Sequence, residues 1–205
     1  MTKLQETLLI LHHFDSLISG RTDFCKRNID FNTSDCVTQK LLERVRAGVL
    51  PSELNSEAIS SVISRECADA KVTLLSYVSL NIIDMFSFND EYNNFFHQER
   101  FDELDVKERV NKVKEKNKII RKSFDWELLS KIRNNVLAHN MRDKKNGNAL
   151  SLKTLKELHN ISSNLKLAVE YSEVTMKLFD NIKEEFETEL TQAQKALMTA
   201  IRDLK

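Results

Sequence analysis

From Ser151 to Lys205 the chain runs without a single glycine or proline. Unbroken α-helix over that stretch would be about 80 Å long at 1.5 Å per residue, longer than a compact domain of this size. The segment must therefore bend, break or project. The rest of the chain is nearly as free of breakers, with 3 Gly and 1 Pro in 205 residues against usual shares of about 7% and 5%. Sheets need tight turns with positive φ, for which glycine is the default residue. The scarcity predicts an all-α fold, a helical bundle forming one domain over residues 1–205.

The charge pattern narrows the classes of partner. Basic and acidic side chains balance at 31 each, so a nucleic-acid partner would need a local basic surface rather than a basic protein. No apolar run approaches the ~18 residues of a membrane span. The run Leu8–Leu11 meets His12, His13 and Asp15 at once, which argues against a leader peptide. A cytoplasmic protein with no membrane partner is expected. The three cysteines (Cys25, Cys36, Cys67) are odd in number, widely spaced and without a C-x-x-C, and read as reduced thiols. The five histidines (His12, His13, His97, His139, His159) are scattered. No metal and no cofactor is expected.

Apolar periodicity divides the chain into helices. Residues 2–19 carry Leu4, Leu8, Leu11 and Ile18, with Gly20 as the expected stop and a polar loop to residue 35. Ser34 or Asp35 can cap a second helix with Val37, Leu41, Leu42 and Val45, ending near Gly48. Beyond Pro51, residues 56–88 read as a long central helix whose second half (Leu74, Leu75, Val78, Leu80, Ile82, Ile83, Phe86) is apolar on most sides. Residues 89–104, with Tyr92, Phe95, Phe96 and Phe101, read as a loop or short helix across one end. Residues 105–122 form a basic helix. Asp125 can cap a helix leading into a basic loop (125–150), and Ser151 can cap the final segment (151–205). The late stripe Ile182, Phe186, Leu190, Ala193, Leu197, Ile201 and Leu204 fits core packing or an arm that pairs with a second copy.

One helix carries polar groups where its greasy side should be. In "LLSKIRNNVLAHNMRDKK" (128–145), a wheel at ~100° per residue puts His139 between Leu128 and Ile132 and Arg133 beside Leu129. The two groups stand about 120° apart around the axis and about 9 Å apart along it. They cannot easily bond each other, but they can flank a group lying on that face. A snorkelling arginine and a helix-end histidine are the commoner explanation of such a pair. The surrounding string shifts the weight.

"RNNVLAH", followed by a short polar loop and "LSLKTLKELHNI", resembles the signature of the HEPN superfamily, in which four to six residues stand between Arg and His. The closest likeness is to the abortive-infection branch and covers roughly residues 125–165. The resemblance implies a HEPN-like helical bundle and a metal-independent endoribonuclease acting as a dimer. Such proteins often serve as the toxin of a toxin–antitoxin or anti-phage defence system, restrained by an antitoxin or inhibitor. Arg133 and His139 would be the catalytic pair, with Asn134 as the supporting polar residue. Where one toxin subclass carries a tyrosine that its partner modifies, this chain has Met141.

The chemistry of those residue types suits RNA. Attack by the 2′-hydroxyl needs a base, an acid for the leaving 5′-oxygen and positive charge on the phosphorane. Histidine titrates near neutrality, and arginine offers a permanently charged donor fork. A two-fold dimer would bring a second His139 for the complementary proton transfer. Arg142, Lys144 and Lys145 after the motif are candidate RNA-binding residues, as are Lys118, Arg121 and Lys122 before it. These last three belong to a run that also holds Lys112, Lys114 and Lys116. Trp126 and the aromatics of 92–101 are of a kind more often core than base-stacking platform, and they are given no role. The rival reading is a non-catalytic helical module binding RNA or a partner protein. A nucleotide or metal site at His12–His13 is weaker, because adjacent helical residues point ~100° apart.

Overall fold

The computed structural model describes residues 1–30, 33–48, 56–97, 101–122, 125 and 161–203. Among them the chain is helical, with no strand. The described residues form six helices, α1 (Lys3–Arg27), α2 (Thr33–Arg46), α3 (Ser56–Phe95), α4 (Leu104–Lys122), α5 (Ile161–Glu185) and α6 (Glu187–Asp203). The all-α expectation holds. α1 packs on α3, α5 and α6, α5 packs also on α3 and α4, and α2 lies along α3.

α1 starts at a reciprocal cap. The Thr2 hydroxyl accepts from the Gln5 amide (3.2 Å), and the Gln5 side chain accepts from the Thr2 amide (3.0 Å). Leu4, Leu8, Leu11 and Ile18 are buried as their spacing predicts. The expected stop at Gly20 is not one, for α1 continues to Arg27. Beyond Gly20, Thr22 and Cys25 are buried and Arg21 pairs with Asp84 of α3. Tertiary contacts thereby outweigh the ~1 kcal/mol that a helical glycine costs. Gly48, with φ 77°, does end α2 in the left-handed conformation that suits glycine. α2 begins at Thr33, so Ser34 and Asp35 sit inside its first turn rather than capping it.

α3 runs past the expected end at residue 88. Phe88, Tyr92 and Phe95 are all buried. Their four-and-three spacing carries the buried stripe (Leu74, Val78, Ile82, Met85) through the region read as a loop. Leu80 (45% exposed) and Ile83 (42%) lie outside that stripe, so α3 is one-sided rather than apolar all round. Asn81 sits in the core, donating to the Ser172 hydroxyl at 2.7 Å and reaching Thr22 at 3.5 Å. It ties α1, α3 and α5 in one register.

The cysteine reading is corrected. Cys36 of α2 and Cys67 of α3 form a disulfide, with Cα atoms 6.1 Å apart. Thirty-one positions separate them in sequence, and only the pairing of α2 with α3 brings them together. Cys25 remains a buried thiol, pushed up to about 11 by burial.

The glycine-free C-terminal run breaks at Phe186, between α5 and α6. Phe186 is buried edge-on against Phe95, with ring centroids 5.7 Å apart, and the Arg109 guanidinium lies 4.3 Å from its own centroid. The stripe Ile182, Phe186, Leu190 and Ala193 is core, whereas Leu197 and Ile201 are exposed. Among the described helices none is long and apolar enough to cross a membrane.

Candidate nucleic-acid interface

The basic run on α4 divides into two sides. Arg109, Lys112 and Lys116, spaced by three and four residues, face α5 and α6. Arg109 contacts Glu189, with Nη2 and Oε2 3.2 Å apart, and lies 3.6 Å from Glu185 and 3.9 Å from Asp105. Lys112 pairs with Glu185 at 2.7 Å, and Lys116 pairs with Glu184. Hydrogen bonds from Arg109 and Lys116 hold the Glu189 and Glu184 carboxyls below the usual range. This side is neutralised within the fold.

Lys114, Lys118, Arg121 and Lys122 point elsewhere. With Glu115, and with Tyr92 and Phe96 from the end of α3, they line an open cleft of about 360 Å³. Among the described residues Glu115 is its one carboxylate, and it pairs with Lys118 at 3.2 Å. Among the described residues, Lys114, Arg121 and Lys122 form no ion pair. The Arg121 guanidinium lies 5.2 Å from the Tyr92 ring centroid and donates to the Asn89 side-chain Oδ1 at 3.4 Å. Cationic surface of this kind retains its attraction for an outside anion.

The wall beneath is built from core groups. Burial pushes the Tyr92 phenol up to about 12, against the opposing pull of a hydrogen bond with Asn117 and of the Arg121 charge. Asn117, itself fully buried, donates to the Leu178 carbonyl at 3.0 Å and accepts from Asn181 at 2.6 Å. Phe96 is partly buried and packs edge-on against Tyr92 (centroids 4.7 Å apart) and Phe95 (5.0 Å). One side of the cleft is therefore anchored through α4 to α5, and ring surface of Phe96 opens into it.

Of the sequence candidates, Lys118, Arg121 and Lys122 thus come together in one cleft. Arg133, Asn134, His139, Arg142, Lys144 and Lys145 lie outside the described residues. Lys114 joins the cleft, while its neighbours Lys112 and Lys116 turn away. Phe96, given no role from the sequence, packs against the core and also lines the cleft. The spacing of Phe88, Tyr92 and Phe95 is the signal that α3 extends that far.

A second titratable cluster lies between α1 and α5. Asp15 is raised to about 6, chiefly by burial and then by the like charge of Asp180, with Lys183 opposing. His12 is lowered by burial and by Lys183 and His13, and it stacks on Phe179 with centroids 6.0 Å apart. His13 is exposed and tilts against Phe14, so the two histidines diverge. Among the described residues, no group of three or more His, Cys, Asp or Glu side chains could hold a metal ion.

No protein-family model, curated protein or solved structure matches the chain.

Proposed function

We propose that the chain is a metal-independent endoribonuclease of the HEPN type that cleaves RNA through its own 2′-hydroxyl. The string "LLSKIRNNVLAHN" supports this, with Arg133 as the charge-stabilising fork, His139 as the proton-transfer group and Asn134 as their support. The structural observation that carries the RNA reading is the convergence of Lys118, Arg121, Lys122 and Lys114 on one cleft. A cleft lined by four cations and Glu115 attracts phosphate, and phosphate contacts supply most sequence-independent affinity for nucleic acid. A homodimer would provide the second histidine. A toxin or anti-phage role, an antitoxin or inhibitor partner and a cytoplasmic setting belong to the same reading. In that compartment the Cys36–Cys67 pair would meet a reducing pool.

The test is incubation of the purified protein with total RNA in EDTA, beside Arg133→Ala and His139→Ala. Cleavage by the native chain alone is expected, with 2′,3′-cyclic phosphate ends and with DNA intact because it lacks the 2′-hydroxyl. Equal degradation by all three proteins, or by none, would overturn the reading. Toxicity on expression should likewise be relieved by His139→Ala.

A non-catalytic module binding RNA or a partner protein is the second reading. It is favoured by the exposed Leu197, Met198 and Ile201 on one side of α6, an apolar surface suited to association. On that reading His139→Ala alters association and leaves RNA integrity untouched.

A further inference from the structure

The cleft between the end of α3 and α4 combines two features with different ligand requirements. Its cations call for an anion, and its aromatic wall calls for a flat or apolar surface. Complementing the α4 dipole explains Arg121 and Lys122, which stand in the last turn. It does not explain Lys118 and Lys114, one and two turns earlier, nor an aromatic ring opening between them. A bare polyanion would need only the lysines.

The geometry points to a subsite for one unpaired nucleotide of an RNA strand, its phosphate held by Lys114, Lys118 and Lys122 and its base laid against Phe96. That the strand is RNA rests on the proposed function. The volume of about 360 Å³ is at the small end of ligand sites, room for a single nucleotide. Aromatic surfaces stack any base and so favour unpaired strands without demanding a sequence. In a duplex the base faces are already stacked on their neighbours, which leaves Phe96 no partner. Arg121 already lies over the Tyr92 ring, so Tyr92 supports the subsite while Phe96 supplies its free surface. The packing of Phe96 against Tyr92 and Phe95 fixes its ring before a ligand arrives, reducing the ordering cost of binding.

The test uses the full-length chain carrying His139→Ala, so that RNA stays whole during binding. Fluorescence anisotropy compares a short mixed-sequence single-stranded RNA with the same strand annealed to its complement, and AMP serves as competitor. The single strand should bind about tenfold more tightly than the duplex. Adding Phe96→Leu should weaken single-strand binding about fivefold and leave duplex binding unchanged, and Phe96→Trp should restore it. Equal affinity for the two forms, no effect of Phe96→Leu in a protein that melts normally, or displacement by AMP at concentrations comparable to the strand would each overturn the subsite. The comparison of strand forms needs no change at Phe96, so it stands even where a variant folds poorly. Cleavage of total RNA by the native chain reports separately on His139. RNA cut without strand preference removes only the subsite, and preference without cutting removes only the nuclease.

Discussion

Two sides of one helix carry similar charge and do different things with it. On the side of α4 facing α5 and α6, Arg109, Lys112 and Lys116 meet Glu184, Glu185 and Glu189. On the other side, Lys114, Lys118, Arg121 and Lys122 share a cleft with Glu115, its one carboxylate among the described residues. A cation already matched inside the fold contributes to stability and has little attraction left for an outside phosphate. A cation without a match contributes little to stability and keeps its field. A charge run in sequence is therefore two features, separated by which faces of the helix are covered.

Stability should break the symmetry most strongly at Arg109. It binds Glu189, the Glu185 carbonyl and the Phe186 ring at the bend between α5 and α6. Arg109→Ala should cost about 2–3 kcal/mol, since charged hydrogen bonds and a partly buried carbonyl lose their partner together. Urea denaturation measures it, and a loss no larger than that of a surface lysine would erase the contrast.

The seam between α1 and α5 sharpens the same contrast, because there a carboxylate is placed where charge is unwelcome. Asp15 is raised from 3.8 to about 6 by burial and Asp180. Its contribution to stability is fully present below its unfolded pKa and is lost as pH rises through about 6. Asp15→Asn should consequently melt higher than the native chain above about pH 6, with the advantage fading on acidification and gone near pH 4. A melting series across that range checks it, and an advantage independent of pH would show that removal of charge is not the cause.

Smallest of all should be the stability effect of Lys118→Ala or Lys122→Ala, within about 0.5 kcal/mol of native. A larger loss would mean that the cleft cations hold the fold as Arg109 does.

How far such a division could be read from sequence depends on which forces decide it. The all-α class, the burial of Leu4, Leu8, Leu11 and Ile18, and the stop at Gly48 follow from local rules, periodicity and backbone φ. Gly20 misled because its place in α1 is decided by distant contacts, the burial of Thr22 and Cys25 and the pairing of Arg21 with Asp84. The Cys36–Cys67 pair is likewise visible only after α2 has docked on α3. In the candidate interface, Lys118, Arg121 and Lys122 were legible as a cluster because they share a helix and a three-to-four spacing. Their separation from Lys112 and Lys116 was not, since it depends on the carboxylates that α5 brings alongside. The extension of α3 is legible in the spacing of Phe88, Tyr92 and Phe95, but the place of Phe96 in the cleft is not, since it depends on how α4 packs beside that end.

The most direct test of this account is the salt dependence of RNA binding by two matched variants in the His139→Ala background. One carries Lys114→Gln, Lys118→Gln and Lys122→Gln, and the other Lys112→Gln and Lys116→Gln. The first should bind single-stranded RNA far more weakly, with the slope of log affinity against log salt reduced by about 0.7, the contribution of the one phosphate those lysines hold. The second should bind as the unsubstituted background does. Equal loss from both sides of α4, or no loss from the cleft side, would contradict the division.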